Sequence, residues 1–389
     1  MSDDNLEGVY AREWMSLEQT LATQAQEGGV DHPAVLACLD KLGALLDSML
    51  DEGTAERSFF KRALVIWEHY RGPDHPETAQ ILNNLGCLSK RSGDLVTAQA
   101  FYERALAIWE EAFGPEHPDV AAALNNLGAL LRAMGNTTGA KCYYLQALAV
   151  WENVAGPVHP HTASVLNNLG IIHKELGQFA QSKQYMARAL TIWQQCFGQE
   201  HPDVAAGWNN LGSLRQCMGD LTGAQCCFER ALAVQEQSLG PDHPDTANSL
   251  NNLGALLCTT GRMEQAREYL DRALAIRCEV LGCNHPETAH TLNNLGFWHK
   301  AAGEIDEAFE YYNQALAVFA QVYGPDHLET ARSHRSVALL HCHLGNVHGA
   351  EHHLQQAEPI FSCYLGPNHV ETNTLRQTIQ AMVPARSQV

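Results

Sequence analysis

Several features are scarce or missing in this chain, and each absence excludes a class of partner, location or activity. Positive charge is scarce: 25 Lys and Arg stand against 44 Asp and Glu, giving a formal net charge of −19. Such a surface is a poor partner for nucleic acid or anionic membranes. No run approaches the roughly 20 apolar residues that span a bilayer. The first five residues also lack the basic and apolar regions of a signal peptide. We therefore expect a cytoplasmic protein.

Motifs for catalysis and cofactor binding are missing as well. The 12 cysteines form no C-x-x-C motif, which favours reduced thiols that pack as small hydrophobes. There is no Ser/His/Asp set, phosphate-binding Gly-Lys loop, dinucleotide-binding glycine motif or H-E-x-x-H sequence. We expect a protein that is not an enzyme and needs no cofactor.

What the chain has in abundance is one repeated unit. The sequence Leu/Trp-Asn-Asn-Leu-Gly occurs six times at a spacing of 42 residues, and a His-Pro pair keeps the same spacing from His75 to His285. A fixed period in this range indicates a solenoid, in which each unit buries its apolar face against its neighbours. The fold prediction is therefore all-α, a right-handed superhelical α-solenoid of antiparallel helix pairs.

Residues 75–116 illustrate the unit. Proline after His75 suits the first turn of a helix, and Leu82 and Leu85 begin its buried stripe. Gly86 follows, where a missing side chain would let another helix approach. Gly93 ends this helix, and a second helix is predicted from about Asp94 to Phe113.

The pattern L-G, then G, then A-x-x-x-Y-x-x-A-L resembles the tetratricopeptide repeat. With Ala-Leu-Ala-Ile-Trp-Glu at residues 105–110 and the Leu-Asn-Asn-Leu motif, it resembles the 42-residue repeats of kinesin light chains and their bacterial relatives. The resemblance covers about residues 30–383. Kinesin light chains carry a long coiled coil before their repeats. About 30 residues precede the repeats here, so the resemblance does not imply motor binding.

We expect an N-terminal capping helix over residues 1–29, tandem repeats over 30–368, a C-terminal capping helix over 369–383 and a tail over 384–389. The repeats number about eight. The first and last are degenerate, as expected of terminal units that need a polar outer face.

One face of the first helices combines constant asparagines, variable positions and cations. The residue four after the first asparagine varies, whereas the residue seven after it is mostly basic. Amides can clamp an extended peptide backbone, and Lys or Arg select carboxylates. By resemblance, kinesin light chains use such a groove for acidic peptides, and related bacterial proteins hold signalling peptides through asparagine ladders. The predicted peptide-binding residues are Asn83, Asn84, Lys90, Asn125, Asn126, Arg132, Asn167, Asn168, Lys174, Asn209, Asn210, Asn251, Asn252, Asn293, Asn294 and Lys300.

The same residues allow a structural interpretation. The second asparagine of each pair could bond to the neighbouring repeat, and the basic row could be a solvated face. The partner expected here is a protein or peptide, and the sequence leaves the oligomeric state open.

Two alternative functions remain. One is a metal- or redox-responsive regulator acting through His348 and His352, or through Cys226 and Cys227. The other is a self-assembling structural array.

Two further ladders are expected to be structural. Trp67, Trp109, Trp151 and Trp193 recur on the second helices, where aromatics usually form the core. Gln235 and Arg277 interrupt that ladder. The His-Pro histidines are expected to cap turns, because one copy per repeat is typical of a structural unit.

Overall fold

A computed structural model describes residues 3–28, 32–51, 57–367 and 369–382, and over these residues the chain is built from 18 α-helices with no strand. From α4 to α17 the helices follow one another in pairs joined by short turns, as the repeat predicted. The helices are α1 Asp3–Gly28, α2 Pro33–Asp51, α3 Arg57–Tyr70, α4 Pro76–Arg91, α5 Leu95–Phe113, α6 Pro118–Ala133, α7 Thr137–Val154, α8 Pro160–Glu175, α9 Phe179–Phe197, α10 Pro202–Cys217, α11 Leu221–Ser238, α12 Pro244–Thr259, α13 Met263–Val280, α14 Pro286–Ala302, α15 Ile305–Tyr323, α16 Leu328–His343, α17 Val347–Tyr364 and α18 Val370–Met382.

Each boundary in the repeat has a local cause. His75 is the N-cap of α4, and its Nδ1 accepts the N–H of Glu77. Asp94 caps α5 by accepting the N–H of Thr97 at 3.2 Å. Between the two helices Gly93 has φ of +80°, a left-handed conformation that glycine adopts without steric cost. The predicted second helix is confirmed from Leu95 to Phe113.

The two helices of a pair approach closely at the glycine that follows each Asn-Asn-Leu sequence. A Cβ built on Gly86 would lie 2.6 Å from Cε1 of Tyr102, on the partner helix. That separation is far inside van der Waals contact. The missing side chain therefore sets the distance between α4 and α5, as expected.

Two compact units divide the chain, residues 1–130 and residues 131–389. In the first, α1 buries Trp14 edge-on against Phe59 with ring centroids 5.6 Å apart, so α1 covers the apolar face of the repeats that follow. In the second, clusters of Leu, Ala and aromatic side chains lie between consecutive helices. The predicted tail, 384–389, lies outside the described residues.

The tryptophan ladder lies in the core, as expected. The four tryptophans are 2–8% exposed, and the side chains that interrupt the ladder are equally buried, Gln235 at 3% and Arg277 at 2%. In the described part of the chain, no helix combines the length and the apolar character needed to cross a bilayer.

Candidate functional site

Histidine caps set the start of every first helix that carries the candidate site. In each repeat Nδ1 of the histidine accepts the N–H two residues later, so the predicted capping role is confirmed. These bonds, 3.1–3.3 Å long, are made by His75, His117, His159, His201, His243, His285, His327 and His369. In the second unit the first helices of consecutive repeats contact one another from α8 to α16. The asparagines are thereby brought into register.

The asparagines form a ladder of amide–amide hydrogen bonds between repeats. In three pairs of neighbouring repeats, Nδ2 of the second asparagine donates to Oδ1 of the first asparagine of the preceding repeat. These bonds are Asn126 to Asn83 at 2.8 Å, Asn210 to Asn167 at 3.0 Å and Asn294 to Asn251 at 2.9 Å. A bond from the second asparagine to the neighbouring repeat was one of the two roles expected for it, and in these three pairs the bond is present.

In the second unit, the first asparagines of the intervening repeats have a different partner. Asn209 Nδ2 donates to Ser249 Oγ at 2.7 Å, and Asn293 Nδ2 donates to Ser333 Oγ at 3.2 Å. Oδ1 of both asparagines is enclosed and accepts no hydrogen bond. In the second unit bonding therefore alternates from one repeat to the next, which inspection of a single motif cannot reveal.

Burial divides the predicted asparagines into two groups. Asn84, Asn167, Asn209 and Asn251 are 7–9% exposed. The remaining eight are partly exposed and line the surface of the first helices. The variable position beside them is also open to solvent, and Phe297, its largest occupant, is 44% exposed. This face thus presents positioned amides next to accessible side chains that differ between repeats.

The predicted cations on this face are partly engaged. Arg132 Nε lies 2.8 Å from Glu175 Oε1. Lys174 Nζ donates to Ser213 Oγ at 2.9 Å. Arg132 and Lys174 are thus each held by a side chain on the first helix of the next repeat.

The second unit also makes a contact between residues that are distant in sequence, which we call the clasp. It consists of Ala133, Gly135 and Glu175 on one side and His327, Tyr364 and His369 on the other. Nε2 of His327 lies 2.9 Å from the carbonyl oxygen of Ala133, and Nε2 of His369 lies 3.1 Å from that of Glu175. Both contacts span 194 residues.

Each clasp histidine joins two helix ends. Because Nδ1 accepts from the backbone of its own helix, Nε2 carries the proton and donates to the carbonyl. The N-termini of α16 and α18 thus face the C-termini of α6 and α8, an arrangement that pairs opposite helix dipoles. The ring of Tyr364 covers Gly135, where a Cβ would lie 1.7 Å from Cδ1 of the tyrosine.

An ion network that the sequence analysis did not predict lies beside the clasp. Glu371 accepts from Arg332 Nη2 and from Arg335 Nη1, both at 2.9 Å. Burial alone would raise the pKa of Glu371, but the two guanidinium groups hold it below its usual value. Arg335 stands where earlier repeats have their first asparagine. This change from asparagine to arginine is the signal in the sequence that points to the ion network. By itself it indicates only that the terminal repeat is degenerate.

Three of the four residues considered for a metal- or redox-responsive regulator are exposed. His348 and His352 are exposed. Cys226 is exposed, whereas Cys227 is buried and burial raises the pKa of its thiol. Among the described residues, no three or more His, Cys, Asp and Glu side chains are grouped so as to hold a metal ion.

Models of the tetratricopeptide repeat match most of the chain. One matches residues 88–153, 143–195, 161–234, 203–279, 250–321 and 287–362, and a second matches residues 35–77. No curated protein sequence matches the chain.

Similar solved structures include two Rap proteins. The Rap conjugation gene regulator of plasmid pLS20, in complex with the Phr* peptide, is 14% identical, with 91% of this chain and 98% of that chain covered and a TM-score of 0.62. A Rap protein complexed with competence and sporulation factor is 14% identical over 93% of this chain and 99% of that one, with a TM-score of 0.59. A putative kinesin light chain of Podosopora anserina with TPR-like repeats is 23% identical, covers 53% of this chain and 98% of its own, and has a TM-score of 0.42.

Proposed function

This chain belongs to the tetratricopeptide repeat family, and from that premise we propose that it is a non-catalytic scaffold that binds an extended, acidic peptide along its first helices. The observation that carries this proposal is the combination on one face of fixed amides and open, variable positions. Amides already held by inter-repeat bonds lose little freedom when they bind a ligand, which favours affinity. The Rap conjugation gene regulator described above, which has a similar fold, is in complex with a peptide, and this supports the proposal.

We assign the asparagines to ligand binding or to repeat packing according to how buried each one is. The partly exposed asparagines, such as Asn83 and Asn168, would hydrogen-bond the peptide backbone. Buried asparagines such as Asn167 and Asn209 would keep neighbouring helices in register. Lys90, Arg132, Lys174 and Lys300 would attract carboxylates, and the variable positions would select side chains. The protein would act in the cytoplasm.

The test is binding of a labelled library of acidic, Trp-containing peptides at low and at high salt. Charged contacts of this kind weaken as salt screens them, so the tightest peptides should bind less well at high salt. Ala255 lies at a variable, partly exposed position of the proposed surface. An Ala255→Glu variant should reduce binding by about tenfold, because it places a like charge beside the ligand.

The matched control is Ala187→Glu. Ala187 is exposed on α9, a second helix away from the asparagine face, so this variant should bind like the wild type. Equal binding by all three proteins would place the partner on another face. Absence of binding by the wild type to every peptide would refute an acidic peptide as the ligand.

A further inference from the structure

One cation close to the clasp, Lys174, has no carboxylate as its ion-pair partner among the described residues. Near the clasp, Glu175 is paired with Arg132, and Glu371 is held by Arg332 and Arg335. Glu329 is paired with Arg332 at 2.7 Å. In the described part of the chain, no carboxylate lies within ion-pair distance of Lys174, whose Nζ bonds the neutral Ser213 Oγ. Unlike Arg132, Arg332 and Arg335 beside it, Lys174 is therefore, over these described residues, a cation without a carboxylate partner.

The clasp brings this lysine towards the cations of the C-terminal repeats. Glu175, the next residue after Lys174, receives the Nε2–H of His369 on its carbonyl. Two residues beyond His369, Glu371 holds Arg332. Burial lowers the pKa of Lys174, Cys217 and Glu175 oppose that effect, and the charges of Arg132 and Arg332 lower the pKa further. An ammonium group in this position is stabilised by an added anion.

We propose that Lys174 and Ser213 form a carboxylate-binding subsite in the field of Arg332, and that an acidic ligand occupying it stabilises the clasp. This inference rests on the proposed function, because the carboxylate belongs to the peptide bound along the first helices. Lys174 Nζ donates to the carboxylate, and the hydroxyl of Ser213 donates beside it, since its oxygen already accepts from the lysine. Each guanidinium nitrogen of Arg332 already donates to Glu329 or Glu371, so in this subsite Arg332 is assigned its charge alone.

A carboxylate can come from an acidic side chain or from the end of a chain. Three labelled probes distinguish these sources: hexaglutamate with a free C-terminus, hexaglutamate amidated at its C-terminus, and hexaglutamine. Hexaglutamate is expected to bind and hexaglutamine is not. If amidation leaves the affinity unchanged, the subsite takes a side chain; if amidation weakens binding as much as Lys174→Met does, the subsite takes the terminus.

The variants isolate the subsite from the rest of the surface. Lys174→Met keeps most of the apolar side chain and removes its charge, and it should weaken hexaglutamate binding at least about tenfold. Ser213→Ala removes only one donor and should weaken binding by about threefold. Lys183→Met is the control, because Lys183 is exposed on α9 and the charge change is the same. Circular dichroism checks that all variants are helical.

Hydrogen exchange measures the clasp directly. Bound hexaglutamate should slow exchange in residues 134–138 and 363–367 of the wild type, and it should not do so in Lys174→Met. Unchanged exchange there despite binding would overturn the link between the subsite and the clasp. Equal hexaglutamate affinity of wild type and Lys174→Met would overturn the subsite and leave the peptide-binding function intact. If the wild type binds no acidic peptide, both proposals are wrong.

Discussion

Trp193 and Arg277 occupy the same place in their repeats, 34 residues after the histidine that opens each one, but they fill it by opposite means. Trp193, 4% exposed, packs among Met186, Leu190 and other apolar side chains of α9 and its neighbours. Arg277, 2% exposed, bonds Thr291 Oγ1 and the carbonyl of Glu287, both at 2.6 Å, and the amide oxygen of Asn248.

The difference shows what the solenoid requires at this place. A position in the core can be filled by a large apolar side chain or by a polar one that brings its own partners. Asn248 lies on α12 and Thr291 lies on α14. The arginine that replaces tryptophan in this repeat therefore depends on side chains of two neighbouring repeats. Further along the chain, His334 similarly stands where earlier repeats have Leu82 and Leu166. At Arg277, polar side chains therefore enter the core as a group.

The largest effect is expected from breaking the polar arrangement. Replacing Arg277 by Met leaves Asn248, Thr291 and Glu287 with unmet hydrogen bonds, and this should lower the free energy of unfolding by about 3–5 kcal/mol in urea titrations. Arg272→Met is the control. Its ion pair with Glu236, 2.7 Å long, has both side chains more than a third exposed, so its loss should cost less than about 1 kcal/mol. Similar effects of the two variants would contradict the role of Arg277.

The next effect concerns the histidines of the C-terminal repeats. Nδ1 of His334 and Nδ1 of His353 lie 2.8 Å apart, and His341 stacks on His353. Burial, with the neighbouring histidines His334, His352 and His341, lowers the pKa of His353 to about 4. Because the unfolded chain binds this proton at a higher pH, stability should fall as the pH falls from about 6.5 towards 4 and then level off.

We expect a loss of about 1–2 kcal/mol over that range, after allowance for partial exposure of His353. Hydrogen exchange in α16 and α17 at pH 7 and pH 5 measures it locally. His353→Gln removes the titrating group and should flatten the dependence. An unchanged dependence in that variant would assign the effect to other residues.

The asparagine ladder should give a smaller effect. Asn210→Ala removes the donor to Asn167 Oδ1, which is enclosed, and should cost about 1 kcal/mol of unfolding free energy. Asn210→Asp should cost more, since it places an acceptor against an acceptor. If the aspartate variant is as stable as the wild type, the amide–amide bond contributes nothing.

The smallest effect compares two members of the tryptophan ladder. Trp109 Nε1 donates to the carbonyl of Pro76 at 3.2 Å, whereas Trp193 Nε1 is buried without an acceptor. Replacing either tryptophan by Phe removes a similar apolar area. Only the replacement of Trp109 also removes a hydrogen bond. Trp109→Phe should therefore be more destabilising than Trp193→Phe by about 1 kcal/mol in urea titrations. An equal loss would mean that the bond to Pro76 adds no stability.

Periodicity predicted most of the local structure correctly. The boundaries of α4 and α5, the histidine caps and the close approach at Gly86 follow from residues within one repeat. The tryptophan ladder was also assigned correctly to the core. The predicted peptide-binding role of the asparagines and cations is not tested by the structure and stays a proposal. The ion network of Arg332 and Glu371 and the clasp contact at Glu175 were missed, because both depend on residues far apart in the chain.

The sequence by itself determined the helix pairs, because caps, turns and apolar stripes act over a few residues and recur every 42. Only the tertiary structure decided which asparagines bond one another, because that depends on the register of adjacent first helices. It also decided that His327 and His369 meet carbonyls 194 residues away. Such contacts result from small rotations accumulated over several repeats, and no single repeat encodes that sum.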